Sequence, residues 1–124
     1  MTISHLSKDN IVINALEDGD DFGDFLRFID THIHTWKDVN VLWDMNKLDF
    51  DNVSSDAIRQ LIHEGRHAAR HRPNMKTAYV VHSDLGFGMM RMFALLAETD
   101  LPIIFSVFRD RDTATAWVLA DDGS

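Results

Sequence analysis

The stretch that most constrains the fold runs from residue 76 to residue 98 (KTAYVVHSDLGFGMMRMFALLAE). It begins with a β-branched and aromatic run at residues 77–81, bounded on both sides by turn-forming residues, which is typical of a buried parallel strand. A helix follows from residue 85 to about residue 98, and it is apolar around nearly its whole circumference. Such a helix needs a sheet on one side and a neighbour or partner on the other. The stretch therefore predicts the central strand and helix of an α/β protein.

The rest of the chain alternates short apolar runs with segments that carry hydrophobic residues at helical spacing. Turn-forming residues at 7–10 separate the first two apolar runs and predict an N-terminal antiparallel hairpin. The alternation predicts a single α/β domain, residues 1–124, with a mostly parallel sheet of four to five strands and helices packed on it. The predicted elements are a hairpin at 3–6 and 11–16, a helix from about 22 to 36, strands at 39–45 and 103–108, a helix from Ser54 or Ser55 to about 71, and a short helix capped by Asp110 or Asp112.

The bulk composition excludes several classes of function. The 124 residues include no cysteine, which rules out disulfides, thiolate metal sites and a cysteine nucleophile. A net charge of −8 argues against general binding of nucleic acids, because phosphate contacts need a basic surface. The sequence shows neither a basic and apolar leader nor an apolar run of membrane-spanning length, so we expect a cytoplasmic protein.

Three short motifs in the second half of the chain are shared with a known family. They are the run at residues 87–93 (FGMMRMF), residues 107–110 (VFRD), and the pair at residues 116–117 (AW) in the last helix. With these motifs the chain resembles the SpoIIAA-like family of small bacterial STAS-type proteins, which are akin to CRAL-TRIO lipid-binding domains. The resemblance implies a sheet of four or five strands with helices on it, and most members of this family have no assigned biochemical function.

The same resemblance points to a phosphorylation site. The anti-sigma-factor antagonists among the STAS proteins carry a phosphorylated serine in an Asp-Ser-Ser-Gly turn at the start of a helix. The matching turn here (NVSSD) supplies Ser54 and Ser55, but Val53 replaces the leading acid and Asp56 replaces the glycine. The resemblance implies Ser54 or Ser55 as a phosphate acceptor, and the alternative is that one of them caps the helix that follows.

One segment, residues 63–67 (HEGRH), matches the H-E-x-x-H motif. In that motif two histidines one helical turn apart bind zinc and the glutamate acts as general base. The apolar stripe of this helix centres near Leu61, which at helical spacing puts His63 and His67 on the opposite, solvent side. We therefore expect no metal and no cofactor. A zinc hydrolase that uses His63, Glu64 and His67 is kept as the second alternative function.

The outward side of the same helix carries arginine and histidine side chains on an otherwise acidic protein. Its positive charge would grow as the imidazoles become protonated below about pH 6.5. An acidic partner, or the acidic face of a second copy, could dock on it, and the alternative is an ordinary solvated helix face. This basic face consists of Arg59, His63, Arg66, His67, Arg70 and His71.

Polar residues follow two of the predicted strands. Asp44 and Asn46 come after one strand, and His82, Ser83 and Asp84 come after the central one. Because ligands of open α/β sheets bind at the carboxyl ends of the strands, these residues form the predicted ligand-binding end of the sheet. The alternative is a plain turn in which Ser83 or Asp84 caps the next helix.

The apolar helix at residues 85–98 carries an excess of methionine and phenylalanine. Methionine is flexible and polarisable, so the cluster could line an adaptable pocket for an acyl chain or form a dimer face. The simpler alternative is ordinary core packing. We predict a self-association face, or else an apolar pocket, formed by Phe87, Met89, Met90, Met92 and Phe93.

Together these patterns predict a non-enzymatic module that regulates or binds another protein and forms a homodimer. A carrier of a small apolar or lipid-like ligand is the first alternative, in keeping with the CRAL-TRIO relation. The two differ in whether the apolar helix meets a second protein or a bound acyl chain.

Overall fold

Strands and helices alternate along the chain after an initial pair of strands. The computed structural model describes residues 2–6, 10–36, 38–69, 75–98 and 104–120. Short 3₁₀ helices lie at Ile33–Trp36 and Phe50–Asn52. The strands are β1 (Thr2–Leu6), β2 (Ile11–Ala15), β3 (Asn40–Asp44), β4 (Lys76–Val80) and β5 (Ile104–Phe108), and the helices are α1 (Phe22–His32), α2 (Ser55–Ala69), α3 (Asp84–Glu98) and α4 (Arg111–Leu119).

The strands form one five-stranded sheet whose spatial order follows the chain from β1 to β5. β1 is antiparallel to β2, with Thr2 opposite Ala15. The strands from β2 to β5 are parallel to one another. The predicted α/β class with a mostly parallel sheet is confirmed. In this order β1 and β5 are the edge strands.

Different helices cover the two faces of the sheet. Side chains alternate between the faces along each strand. Val41 and Tyr79 join the core beneath α1, α2 and α3, whereas Leu42 and Ala78 join a smaller core beneath α4. β4 is buried along its whole length because helices cover both of its faces. That double burial explains its continuous apolar run, in place of the alternation of a half-exposed strand.

Aromatic rings anchor α1 and α3 to the sheet. The ring of Phe25 on α1 meets Trp43 of β3 edge-on, with centroids 4.8 Å apart. On α3, Phe93 packs edge-on against Tyr79 of β4 at 5.9 Å and Phe105 of β5 at 5.3 Å. Each such pair adds about 0.5–1.5 kcal/mol beyond the burial of its surface. α3 therefore lies over β4 and β5, and one of its flanks borders the edge of the sheet.

The close approach of α3 to its surroundings requires a glycine at position 86. A Cβ atom on Gly86 would lie 2.5 Å from Cδ2 of Phe50 and 2.6 Å from Cγ1 of Val81, and both of these side chains are buried. The corresponding position on Gly88 has no atom within 4 Å. The same helix thus contains one glycine that packing requires and one that it does not.

A buried lysine joins α4 to the sheet. Lys76, at the start of β4, is only 6% exposed. Its ammonium donates to the carbonyls of Trp117 at 3.0 Å and Ala120 at 2.7 Å. These carbonyls end α4, where helical acceptors lack partners and the helix dipole favours a cation. Lys76 therefore holds the end of α4 against the sheet.

The Gly86→Ala variant should lower the free energy of unfolding by about 1–3 kcal/mol, because overpacking displaces Phe50 or Val81. Gly88→Ala is the matched control, and it should raise the free energy by up to about 1 kcal/mol because alanine favours helix. Urea unfolding followed by circular dichroism measures both values. Equal effects of the two substitutions would contradict the close approach at Gly86.

The Lys76→Met variant should lose about 1.5–3 kcal/mol of stability, because two carbonyls at the end of α4 lose a charged donor. Lys47→Met serves as the control. The ammonium of Lys47 is exposed and lies 3.6 Å from a carboxylate oxygen of Asp18, so its loss should change stability by less than about 0.5 kcal/mol. Urea unfolding of both variants gives the comparison. A loss no larger for Lys76→Met than for Lys47→Met would show that the carbonyl contacts add no stability.

Candidate functional site

The carboxyl end of the sheet brings together polar residues that follow β3 and β4. The backbone N–H of His82 donates to Oδ1 of Asn46 over 2.9 Å. The backbone N–H of Asn46 donates in turn to Oδ1 of Asp44 over 3.1 Å. The residues that the sequence places after two different strands are therefore neighbours in space, as parallel pairing requires.

Two arginines from the segment after β5 close this end of the sheet. Arg109 donates through Nη1 to the carbonyl of His82 at 2.8 Å and to Oδ1 of Asp84 at 2.9 Å. Arg111 donates through Nη2 to Oδ2 of Asp44 at 2.7 Å. The acceptors that a ligand at this end would use, the carbonyl of His82 and the carboxylates of Asp44 and Asp84, thus already accept hydrogen bonds from the chain's own arginines.

The order of the strands also works against a ligand crevice here. In open α/β sheets, ligands bind where neighbouring connections leave the sheet toward opposite faces. Between β2 and β5 the connecting helices α1, α2 and α3 all pack on the same face. The ligand role of this end stays a prediction, and the hydrogen bonds favour the alternative of a capped turn. Ser83 supplies that cap, since its Oγ accepts from the backbone N–H of Gly86 at 3.1 Å.

Asp110 caps α4 at the same end of the sheet. Its Oδ1 accepts from the backbone N–H of Thr113 at 2.7 Å, and its Oδ2 accepts from the Thr113 hydroxyl at 2.9 Å. These two hydrogen bonds, the backbone one first, hold the pKa of Asp110 below its usual value, and the nearby His82 lowers it further. The ionised carboxylate is therefore the form that the folded protein prefers.

The start of α2 is capped by Ser54, whose hydroxyl accepts from the backbone N–H of Ala57 at 3.1 Å. Ser55 is the first helical residue, and both serines are exposed. A phosphate on Ser55 would gain from the helix dipole but would lie beside the carboxylate of Asp56. Phosphorylation of either serine stays a prediction.

The H-E-x-x-H residues lie in the second half of α2. His63 is exposed, and Glu64 is half-buried beside Arg27 and Asp30 of α1 in a groove of about 290 Å³. The side chain of His67 lies outside the described residues. Among the side chains that are described, no group of three histidines or acids is placed to hold a metal ion. The described part of α2 and its neighbours therefore offers no third ligand beside His63.

Part of the predicted basic face can be located on α2. Arg59, His63 and Arg66 are exposed, and Arg59 pairs with Asp56 at 2.7 Å with both side chains largely in solvent. Such an exposed pair contributes at most about 0.5 kcal/mol. The described part of the basic face thus resembles the alternative, an ordinary solvated helix face. Outside the described residues lie the side chain of His67 and all of Arg70 and His71.

The methionine and phenylalanine residues of α3 divide between core and surface. Met90 and Phe93 are fully buried, so the prediction that they belong to a self-association face is wrong. Helical spacing puts both on the side of α3 that packs on the sheet. Phe87 and Met89 are half-buried, and Met92 is half-exposed.

A different set of apolar side chains surrounds the flank of α3 beside β5. On this flank Leu95 is 62% exposed, and Ile104, which begins β5 with its side chain on the other face of the sheet, is 43% exposed. A groove of about 320 Å³ runs between α3 and β5, and Arg91 brings a positive charge to its lining. We call this region the apolar edge surface. It consists of Phe87, Arg91, Leu95, Phe105 and Val107.

The backbone of β5 has an open side within this surface. Among the described strands, β5 pairs with β4 alone. The N–H of Ile104 donates to the carbonyl of Met75, and the carbonyl of Phe108 also faces β4. Because these directions alternate along a parallel strand, the N–H and C=O groups of Phe105 and Val107 point away from β4. At this edge, Phe105 and Val107 therefore present strand-pairing groups that no described residue pairs with.

The ring of Phe87 positions the arginines at the rim of the groove. The guanidinium carbon of Arg109 lies 4.2 Å from the ring centre, and that of Arg91 lies 5.9 Å from it. Contacts of this kind contribute about 0.5–1 kcal/mol at exposed sites. The apolar edge surface is thus bordered by positive charge on a protein of negative net charge.

Comparisons of the chain with protein-family models, with curated proteins and with solved structures find no match. The resemblance to the SpoIIAA-like family therefore stays a prediction that rests on short motifs. Within the described residues, no helix has the combined length and apolarity that crossing a bilayer requires.

Sequence reasoning misses two exposed apolar residues at this edge of the sheet, Leu95 in the apolar edge surface and Ile104 at the start of β5. A helix that is apolar on all sides does not reveal which of its residues face the sheet. The signal that could have found them is the order of elements, because a strand added last in a sequential β-α-β series lies at an edge. The apolar residues next to that strand then become candidates for a surface.

The Asp110→Ala variant should melt at a lower temperature than the parent protein at pH 7, and the difference should shrink at low pH. Folding lowers the pKa of this carboxyl, so its stabilisation is complete above the ordinary value of about 3.9 and is lost as the pH falls through the lower folded value. Thermal unfolding at a series of pH values from 7 to about 2 measures the trend. Asp112→Ala, which removes no cap, is the control. A difference that stays constant with pH would contradict the assignment.

Proposed function

We propose that the protein is a non-catalytic protein-binding module whose docking site is the apolar edge surface. One observation carries the proposal: the outward backbone groups of Phe105 and Val107 adjoin a groove of about 320 Å³ whose lining includes Phe87 and Leu95. A role of this kind agrees with the non-enzymatic regulatory or protein-binding module that the sequence predicts. The partner would contribute an extended segment that adds a strand to the sheet.

The composition of β5 supports strand addition. Natural sheets guard exposed edges with charges, prolines, bulges or a covering element. β5 (IFSVF) contains no charged residue and no proline. An edge strand without these devices accepts another strand through main-chain hydrogen bonds, which supply affinity without a particular sequence. Specificity then has to come from the groove beside it.

The groove offers that specificity. A strand added next to β5 would direct alternate side chains toward α3, where Leu95 and Phe105 are partly exposed. Apolar side chains of the partner would cover these residues. Arg91 at the rim would favour an acidic residue in the partner, since opposite charges across an interface steer binding.

The same observations favour a polypeptide over an acyl chain. Pockets for small ligands measure about 300–1,000 Å³ and bury most of the ligand. The groove lies at the lower end of that range, and an arginine and the open strand edge border it. A long acyl chain would leave the outward N–H and C=O groups of β5 without partners, whereas a strand would pair them.

Selection of displayed random peptides against the protein tests the proposal. We expect extended peptides with alternating apolar residues whose affinity falls at least about tenfold on Leu95→Glu, because a carboxylate is costly to bury without a partner. Leu119→Glu is the matched control, since Leu119 is 44% exposed on α4, on the other face of the sheet. Fluorescence anisotropy with labelled peptides measures the affinities.

Amide hydrogen exchange locates the bound peptide. The amides of Phe105 and Val107 should exchange more slowly in the complex, because a partner strand occupies their open side. Peptides that bind Leu95→Glu and Leu119→Glu equally well, with no protection along β5, would rule out the docking site. A fatty acid that occupies the groove, with no peptide binding there, would favour the carrier.

A further inference from the structure

We infer that the occupant of the apolar edge surface is a second copy of this chain, whose β5 pairs antiparallel with β5 across a twofold axis at Ser106. The inference rests on the proposed docking site and names its partner. Pairing of the two β5 strands would produce one sheet that continues through both copies, with the α3 helices of the two copies on the same face.

The open backbone groups of β5 fit this arrangement. Phe105 and Val107 direct their N–H and C=O groups outward, and they lie symmetrically on either side of Ser106. In an antiparallel pair, Phe105 of one copy would exchange both hydrogen bonds with Val107 of the second copy, and the twofold axis repeats the exchange. The two Ser106 residues would then face each other as a non-hydrogen-bonded pair. No outward strand-pairing group between Phe105 and Val107 would be left over.

The side chains of β5 are complementary to themselves in this register. On the face toward α4, Ile104 would lie opposite Phe108 of the second copy. On the face toward α3, Phe105 would lie opposite Val107. Pairs of aromatic and β-branched residues are among the favoured cross-strand pairs. In a twofold interface the same surface of both copies is in contact, so that surface has to be complementary to itself. An apolar strand with a small residue on the twofold axis meets this requirement.

Electrostatics do not oppose the contact locally. Each copy carries a net charge of −8, yet none of that charge lies on β5. Arg109, at the end of the strand, already pairs with Asp84 at 2.9 Å. The strand itself therefore brings no like charges together when two acidic molecules meet along β5.

The size of the surface sets the expected affinity. A strand of five residues is about 17 Å long. Edge pairing together with the flank of α3 covers less than the roughly 800 Å² per partner of a standard interface. We therefore expect a reversible dimer with a dissociation constant of roughly 1–100 µM.

A single introduced thiol tests the register. The chain contains no cysteine, so the Ser106→Cys variant has one reactive site. Opposed non-hydrogen-bonded residues have Cα atoms about 4.5 Å apart, within the range of about 4.4–6.8 Å that a disulfide spans. Under mild oxidation we expect a disulfide-linked dimer on a non-reducing gel. Ser55→Cys, exposed on α2, is the control and should cross-link at least about tenfold more slowly.

A matched pair of substitutions tests the backbone pairing. Val107→Pro removes an outward N–H but no hydrogen bond to β4, a position where an edge strand tolerates proline. Val107→Ala keeps the N–H and removes most of the same side chain. In sedimentation velocity, the parent protein should show a concentration-dependent monomer–dimer equilibrium, and Val107→Ala a weaker one. Val107→Pro should remain a monomer, with circular dichroism confirming that it is folded.

The outcomes separate this inference from the proposed docking site. A parent protein that stays monomeric, or Ser106→Cys that cross-links no faster than Ser55→Cys, overturns the second copy as partner. Peptide binding that is lost in Leu95→Glu would then still support the docking site with another protein. If Val107→Pro does not fold, the cysteine comparison decides alone.

Discussion

Burial of β4 on both faces is the constraint on which the rest of the structure depends. All residues of this strand are buried, with Tyr79 beneath the layer of α1, α2 and α3 and with Ala78 and Val80 beneath α4. Because neither face of β4 reaches water, the lysine that begins it has to find acceptors inside the protein. Lys76 finds them at the end of α4. One strand thus determines where both helical layers sit.

Features that depend on local sequence could be predicted. The continuous apolar run marks β4 because burial on both faces removes the usual alternation, and the prediction of residues 77–81 differs from Lys76–Val80 by one residue. Ser54 and Asp110 were candidate caps because their side chains satisfy N–H groups only three residues away. The α/β class followed from the alternation of elements. The strand and the caps are each determined by residues within a few positions of one another, and the alternation is a series of such local patterns.

Features that depend on contacts between distant segments could not be predicted. Lys76 and Ala120 are 44 residues apart, and nothing near either residue announces the hydrogen bond. A helix as apolar as α3 has no clear polar side, so its sequence does not show that Met90 is buried and Leu95 is exposed. Asn14 is fully buried in β2, with no partner for its side-chain amide among the described residues. An amide within an apolar run gives no sign of whether it will be satisfied.

The order of the strands explains why the predicted ligand-binding end of the sheet is the weaker candidate site and the apolar edge surface is the stronger one. Each connection from β2 to β5 adds the next strand on the same side, so the three connecting helices lie on one face while α4 covers the other. The described connections between these strands therefore do not diverge to form a ligand crevice. The same order leaves β5 as the last strand, with the N–H and C=O groups of Phe105 and Val107 facing outward. α3 lies over β4 and β5, and therefore the apolar excess of that helix borders these groups. Outward backbone groups of an edge strand and exposed apolar side chains such as Leu95 therefore lie next to each other at β5, and pairing with another strand would bond the first and cover the second.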